Sequence, residues 1–139
     1  MKLTAKTDYA VLAVTGLARH YQSGESVRVE DLAEEQGIPP GYLVQILIEL
    51  KAQKIVKSVR GKGGGYQLAR PPSEITLADV LRTAHGQVFD SPALNDPHCP
   101  PELRSAWTKL QKAVDDSASS ITLQSLLDEA TDKEKMYYI

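Results

Sequence analysis

Apolar side chains recur every three to four residues over positions 7–21, and this spacing predicts an amphipathic helix. Val14 and Leu17 lie on its apolar face, and either Thr7 or Asp8 is suited to cap its first turn. Val11 and Ala18 lie on the same stripe.

A pair of short helices joined by a tight turn is predicted next. After a short extended segment at 27–29, acidic residues open a helix that ends at Gly37, where a left-handed backbone is favourable. The two prolines and the glycine of 38–41 make the turn, and an amphipathic helix follows over 42–53. Its buried stripe consists of Leu43, Ile46, Leu47 and Leu50. This arrangement is a helix-turn-helix signature, although many all-helical domains contain such a pair for packing reasons alone.

A β-hairpin is predicted directly after the helix pair. Residues 55–60 alternate and are rich in β-branched side chains, 61–65 supply the glycine-rich turn, and 66–70 return as the second strand. Two prolines then end the hairpin. A helix-turn-helix followed by a basic hairpin is a winged helix, so the predicted fold is mainly α with one small β-hairpin.

The glycine-rich turn has to be distinguished from a nucleotide-binding loop. A Walker loop needs a lysine after its glycines and then a helix, whereas Lys62 precedes Gly63 and Gly64 and a strand follows. We therefore interpret the turn as a thin tip that approaches a DNA backbone closely. Arg60 is suited to a minor groove and Lys62 to a phosphate. A plain hairpin whose glycines serve only the turn geometry is the alternative.

The charge differs between the two halves of the 139-residue chain. Residues 1–70 contain ten Lys+Arg and seven Asp+Glu, whereas residues 71–139 contain six and eleven, so their net charges are +3 and −5. A basic half indicates a face for a polyanion, although an unevenly charged solvated surface gives the same totals. A hydrophobic content of 42%, without a long apolar run or a secretion signal, predicts a packed cytoplasmic domain that does not enter a membrane.

The second half of the chain is predicted to be helical. Thr76 and Asp79 have the spacing of a capping box, and a proline-rich loop follows over 87–100. A long helix then carries an apolar stripe formed by Leu103, Trp107, Leu110 and Val114. A second copy of the chain would cover this stripe and the apolar residues of 121–127, and the two-fold symmetry would match a palindromic duplex. Packing of the same surface against residues 7–21 is the alternative, and both arrangements are compatible.

Three stretches resemble the winged-helix repressors grouped with IscR, NsrR and CymR: the opening MKLTAKTDYA, the segment over 42–70, and the later motifs W-x-x-L and S-I-T-L. The resemblance implies a homodimeric bacterial transcription regulator whose second paired helix enters the major groove and whose wing reaches the minor groove. With the turn and wing geometry, the expected DNA contacts are Tyr9, Pro40, Gly41, Tyr42, Gln45, Arg60, Lys62, Gly63 and Gly64. The family often has serine where this chain has Gly41 and an acidic residue where it has Val44. The resemblance implies that both positions help to read bases, so the operator sequence stays open.

Many members of this family hold an iron–sulphur cluster through three cysteines in the loop before the long helix. This chain has only Cys99 there, so a dimer supplies two thiolates where about four ligands are needed. Asp8 matches a ligand position of some members, and His98 adjoins the cysteine, but we expect no cofactor and no metal. Cys99 is either a redox-sensitive thiol helped by the neighbouring imidazole or a partly buried cysteine without a function.

The last seven residues, KEKMYYI, resemble the end of CymR, a family member that represses cysteine-metabolism genes together with cysteine synthase. They also resemble the isoleucine terminus of serine acetyltransferases. The resemblance implies a partner-binding tail formed by Met136, Tyr137, Tyr138 and Ile139, whose carboxylate enters a pocket of backbone amides on cysteine synthase. A tail that packs on its own domain or frays is the alternative.

We expect three regions: a DNA-binding domain over 1–72, regulatory and dimerisation helices over 73–130, and a tail over 131–139. No catalytic residues are predicted, since the chain lacks a Ser-His-Asp order, an HExxH motif and paired acids in a glycine-framed turn. The favoured function is a cluster-free DNA-binding repressor of cysteine or sulphur genes. The alternatives are a repressor that senses redox state or a ligand through 87–100, and an interaction module that does not bind DNA.

Overall fold

The computed structural model describes residues 2–137, with the side chains of residues 2–133. These residues form six α-helices and one antiparallel pair of strands. In chain order they are α1 (Ala5–Ala18), α2 (Val29–Gln36), α3 (Pro40–Ala52), β1 (Val56–Val59), β2 (Gly65–Leu68), α4 (Leu77–Ala84), α5 (Pro101–Ser120) and α6 (Leu123–Tyr137). Short 3₁₀ helices occupy Pro72–Glu74 and Pro92–Asn95. The predicted fold class, a mainly helical winged helix-turn-helix with one hairpin, is confirmed.

The first helix begins earlier than predicted because Thr4, and not Thr7 or Asp8, is its cap. Thr4 Oγ1 accepts a hydrogen bond from the Thr7 backbone N–H at 3.4 Å, whereas the Thr7 side chain is buried. The predicted apolar face is confirmed, since Val14 and Leu17 are both buried. A local pattern of apolar residues therefore located the helix, but not the residue that starts it.

The helix-turn-helix forms as predicted. α2 ends at Gly37, whose φ of 66° lies in the left-handed region that glycine adopts without strain. The Ile38 N–H donates to the Ala33 carbonyl at 2.9 Å and closes the end of α2. Pro40 occupies the first turn of α3, where its missing N–H has no helical partner to lose. The predicted stripe of α3 is at most 1% exposed at Leu43, Ile46, Leu47 and Leu50.

The hairpin is antiparallel, with Val56 opposite Leu68, and each strand is shorter than the run predicted for it. The prediction of an extended segment at 27–29 is correct only in part. Val27 pairs with Tyr66 in an isolated bridge, whereas Val29 already belongs to α2. Glu30 and Asp31, which follow Val29, are favourable in the first turn of a helix. α2 therefore begins at Val29, earlier than the β-branched valines indicated.

A single core joins the helix-turn-helix and the hairpin to α1, and α6 completes it. Leu123 is fully buried there, and Leu126 and Leu127 pack against its edge. α5 contacts α4 instead, where Ala118 joins Ala78 in a second small cluster. The expected packing against residues 7–21 is therefore confirmed for α6, and corrected for α5, because α5 packs on α4.

The predicted capping box begins α4. Thr76 Oγ1 accepts from the Asp79 N–H at 3.2 Å, and Asp79 Oδ2 accepts from the Thr76 N–H at 3.0 Å. α6 runs from Leu123 to Tyr137 across the boundary expected at residue 130, and the division into 1–72, 73–130 and 131–139 stays a prediction. In the part of the chain that the structure describes, no helix has the length and apolarity that a bilayer span requires.

Candidate nucleic-acid interface

The second helix of the helix-turn-helix, α3, turns one side into the core and presents the other to solvent. Pro40, Gly41, Tyr42 and Gln45 are all exposed on its N-terminal half. The Gln45 amide both donates and accepts hydrogen bonds, which suits an adenine edge. Nothing lies within 4 Å of the place that a Cβ would occupy at Gly41, so a large partner can come close to the helix backbone there.

Two of the predicted contact residues, from different helices, touch each other. The rings of Tyr9 in α1 and Tyr42 in α3 pack edge to face, with centroids 5.5 Å apart and an angle of 71° between their planes. Such aromatic pairs are favourable beyond the area that they bury. Tyr9 therefore supports the exposed ring of Tyr42 at the beginning of α3.

The only carboxylate on α3 is neutralised by a lysine of α1. Lys6 Nζ lies 2.9 Å from both carboxylate oxygens of Glu49, and the two side chains are about one-third exposed. An unpaired carboxylate on this helix would repel DNA phosphates. Sequence reasoning missed the pair because its partners are 43 residues apart and no local pattern joins them.

The tip of the hairpin is held by the segment between α1 and α2. Ser26 Oγ donates to the Gly63 carbonyl, and Arg28 Nη2 donates to the Lys62 carbonyl at 3.4 Å. Both bonds use backbone acceptors, so they fix the course of the tip while the Lys62 side chain stays exposed. The sequence analysis identified neither Ser26 nor Arg28.

Two of the consecutive glycines are required by the hairpin itself. A Cβ at Gly64 would lie 2.4 Å from the Val59 carbonyl oxygen, and a Cβ at Gly65 would lie 2.3 Å from that of Val27. At Gly63, by contrast, a Cβ would meet open space. A hairpin whose glycines serve only the turn geometry, the alternative given above, therefore explains why position 64 is glycine. The DNA contacts of Gly63 and Gly64 stay predictions.

A run of basic side chains leads from the end of α3 to the wing. Lys51, Lys54, Lys57, Arg60 and Lys62 are all exposed, and no acidic residue occurs between them. Lys54 has a φ of 60°, a left-handed conformation that costs a side-chain-bearing residue about 1 kcal/mol. Lys54 therefore occupies a position whose backbone conformation glycine would adopt without strain.

Two exposed apolar residues of α3 add to the predicted contacts: Val44, at a position that the resemblance gives a base-reading role, and Ile48, which was not predicted. Val44 is 44% exposed and Ile48 is 51% exposed, although both are apolar and lie within a helix. Their spacing of four residues places them on one side of α3, together with Gln45. The sequence could have identified them as exposed, because they lie outside the stripe of leucines and isoleucine that is buried on α3.

The predicted dimerisation stripe on α5 is divided between two environments. Leu103 and Leu110 are 39% and 46% exposed. Trp107 and Val114 are half-buried, and the Trp107 ring lies against Phe89 with centroids 5.8 Å apart. Half of the stripe therefore packs within the chain, while its two leucines face solvent, as a second copy would require.

The loop over 87–100 places Cys99 where it is half-buried. Its thiol donates to the Pro100 carbonyl at 3.5 Å, and the neighbouring His98 is exposed. The assignment of Cys99 as a redox thiol stays a prediction.

The predicted tail lies at the end of the described chain. Met136 and Tyr137 belong to the last turn of α6, whereas Tyr138 and Ile139 lie outside the described residues.

Comparison with known proteins agrees with this geometry. Residues 3–129 match the model of the Rrf2 family, described as "Iron-dependent Transcriptional regulator". A protein of Mycobacterium tuberculosis named as an HTH-type transcriptional regulator is 51% identical over 86 residues, which are 62% of this chain and 53% of that protein. The chain thus matches about half the length of this relative.

Solved structures match over nearly the whole chain. IscR of T. potens has a TM-score of 0.81 at 33% identity, covering 99% of this chain and 97% of its own. CymR, described as the global cysteine regulator of B. subtilis, also has a TM-score of 0.81, at 28% identity, with 93% and 98% covered.

The iron named in the family description does not fit the residues present. Cys99 is the only cysteine of the sequence. Among the described residues, no group of three or more His, Cys, Asp or Glu side chains could hold a metal ion. A thiolate-held iron–sulphur cluster needs about four ligands, so one chain does not provide the donor set for it.

Proposed function

The chain belongs to the Rrf2 family of transcriptional regulators, and from this premise we propose that it binds palindromic double-stranded DNA as a homodimer and acts as a repressor. Its family and relatives are transcriptional regulators and not enzymes. The observation that carries the proposal is the charge of the exposed helix and wing. Glu49 is paired with Lys6, and the five cations from Lys51, in the last turn of α3, to Lys62 have no acid among them.

In the proposed complex, the exposed side of α3 lies in the major groove. Gln45 forms a bidentate pair of hydrogen bonds with adenine, and Tyr42 contacts a phosphate or a thymine methyl group. Tyr9 packs against Tyr42, and we propose that it contacts the DNA beside the group that Tyr42 binds. Pro40 and Gly41 allow the beginning of the helix to enter the groove without a bulky side chain.

The wing contributes a second contact to each half-site. Arg60 enters the minor groove, where the negative potential is strongest over narrow A·T-rich steps, and Lys62 pairs with a phosphate. Gly63 passes close to the DNA backbone. The hydrogen bonds from Ser26 and Arg28 to the tip support this role, because a fixed tip loses less conformational freedom on binding.

Selection of duplexes from a random pool by the full-length protein tests this function. We expect a two-fold symmetric consensus whose half-sites are one helical turn apart, about 34–36 Å or a multiple of it, because each protomer presents one α3. Recovery of duplexes without any consensus, or of none above background, would remove sequence-specific DNA binding from the account. The recovered duplex serves as the operator in the experiments below.

Control of cysteine or sulphur genes, with cysteine synthase as a co-regulator, is the finer part of the proposal. It is supported by the likeness to CymR, described as a global cysteine regulator, and by the resemblance of the segment KEKMYYI to the tail of that regulator. Deletion of Ile139 is expected to abolish binding to cysteine synthase in calorimetry, while the oligomeric state in solution stays the same. Equal binding by the full-length and truncated proteins would dismiss this partner. Sensing of the redox state through the thiol of the half-buried Cys99 is the alternative form of regulation.

A further inference from the structure

A cavity of about 360 Å³ lies between α4, α5 and the loop that follows α4, and we infer that it binds a neutral, largely apolar small molecule about the size of two fused rings. Protein interiors contain few voids larger than a water molecule, so a space of this volume suits an occupant. Small-ligand sites have volumes of about 300–1,000 Å³. An apolar cavity of about 150 Å³ holds one benzene ring, and this comparison sets the size of the expected ligand.

The interior of the cavity is apolar. Six of its lining residues have apolar side chains and are buried or half-buried: Ala78, Leu81, Val88, Phe89, Val114 and Ala118. Ala78 of α4 and Ala118 of α5 belong to the small cluster through which these two helices meet. Because an alanine side chain ends at Cβ, this contact leaves the adjacent space between the helices unfilled.

The wall that the loop contributes is held in place without a ligand. Gln111 Nε2 donates to the Phe89 carbonyl at 3.0 Å, and the Phe89 ring packs against Trp107 with centroids 5.8 Å apart. Gln111 and Trp107 both belong to α5, so this helix fixes the course of the loop beside the cavity. A wall that is already ordered loses little conformational freedom on binding, which favours affinity for a small ligand.

The charged groups at the rim are already paired, and this pairing favours a neutral ligand. Arg82 Nη2 lies 3.0 Å from Asp115 Oδ1, and Arg82 Nη1 lies 3.5 Å from Asp79 Oδ1. The Arg82 and Asp115 side chains, which line the cavity, are both 55% exposed, so the pair lies at the mouth. A charged group inside the cavity would lose its hydration and would find no free counter-charge among the described lining residues.

The cavity is separate from the thiol of the 87–100 loop and from the DNA-binding surface. Its lining residues come from 78–89 and 111–118, whereas Cys99 lies near the far end of the loop. α4 also packs against α1 and α3, and α5 carries the two solvent-facing leucines. An occupant would therefore contact both the helix that supports the DNA-binding part of the chain and the helix with the proposed dimer surface.

Calorimetric titration of the full-length protein with 2-naphthol, a neutral molecule of two fused rings, tests the inference in the absence of DNA. We expect one site per chain with a dissociation constant of about 10–100 µM. The matched probe 2-naphthoate has the same rings and a carboxylate, and it should bind at least about tenfold more weakly because its charge is desolvated.

Two variants that fill the cavity from opposite walls locate the binding site. Ala118→Leu adds a side chain from α5, and Val88→Phe adds one from the loop. Each should weaken 2-naphthol binding by about tenfold or more, while circular dichroism shows that the helices remain folded. Ser119→Leu is the matched control, since it adds the same side chain at the next, exposed position of α5 and should leave the affinity unchanged.

Three results would overturn the inference. The first is no binding of 2-naphthol by the wild type, or equal binding by the wild type and both filled variants. The second is tighter binding of 2-naphthoate than of 2-naphthol, which would indicate an acid held by Arg82. The third is binding by the variant Leu103→Glu/Leu110→Glu but not by the wild type, which would show that a second copy of the chain fills the cavity. None of these results affects the selection of an operator duplex, so the proposed function stands or fails separately.

Discussion

The double variant Leu103→Glu/Leu110→Glu is expected to be monomeric and to bind the operator more than about 100-fold more weakly than the wild type. Both leucines lie on α5 and face solvent, at 39% and 46% exposure. Ala106 and Ala113, on the same side of α5, are also exposed, and such small residues allow a second helix to approach closely. In a symmetric interface the two carboxylates of each protomer would lose their hydration and would repel the equivalent carboxylates of the partner.

Loss of the dimer weakens operator binding because the two half-sites are then bound independently. A linked second contact is effectively intramolecular, and the gain in affinity is typically about 10² to 10⁴. Sedimentation and anisotropy measured on the same samples connect the two losses. Ser105→Glu is the matched control, since Ser105 is exposed on the opposite side of α5 and should change neither quantity. A dimeric double variant with unchanged affinity would show that the dimer uses another surface.

Arg60→Ala is expected to weaken operator binding by about tenfold or more, while the stability of the protein stays nearly the same. Arg60 is exposed at the end of β1, so its removal leaves the core intact. A hydrogen bond that involves a charged group contributes about 1.5–3 kcal/mol, and each 1.4 kcal/mol is a tenfold change in affinity. The proposed dimer carries two such arginines, and both are lost together.

The matched control for Arg60 is Arg19→Ala. Arg19 is also an exposed arginine, but it borders the cleft between the end of α1 and α6, along with Gln124 and Thr131. Its removal should leave operator affinity unchanged in the same anisotropy assay. If both alanine variants bind as the wild type does, the assignment of the hairpin as a DNA-contacting wing is wrong.

The helices of the candidate interface could be predicted from the sequence, because each start, end or buried face depends on residues only a few positions apart in the chain. Gly37 ends α2 since its left-handed backbone suits glycine, and Thr76 begins α4 through a box that it shares with Asp79. The four-residue spacing of Leu43 and Leu47 correctly identified the buried side of α3. Each of these features depends on the backbone of one short segment.

The contacts that orient these elements could not be predicted, because they join distant segments. Lys6 pairs with Glu49, and Ser26 donates to the carbonyl of Gly63, at separations of 43 and 37 residues. Neither pair has a spacing that repeats, so the sequence contains no local signal for it. Thr4 shows a related limit, since several polar residues near the start of α1 could cap it, and only the backbone of the folded chain places the Thr4 hydroxyl against the Thr7 N–H.

The salt dependence of wild-type binding to the selected operator is the most direct measurement of the central claim, that α3 and the wing form a cationic DNA-binding surface. Each protomer presents five exposed cations from Lys51 to Lys62. If the dimer neutralises about six to ten phosphates, its affinity falls about 10³- to 10⁵-fold between 50 and 200 mM salt, with a log–log slope of about −0.9 per phosphate contacted. We predict a loss within this range. A slope close to zero would contradict the claim, because a surface that releases no counterions does not bind DNA through these residues.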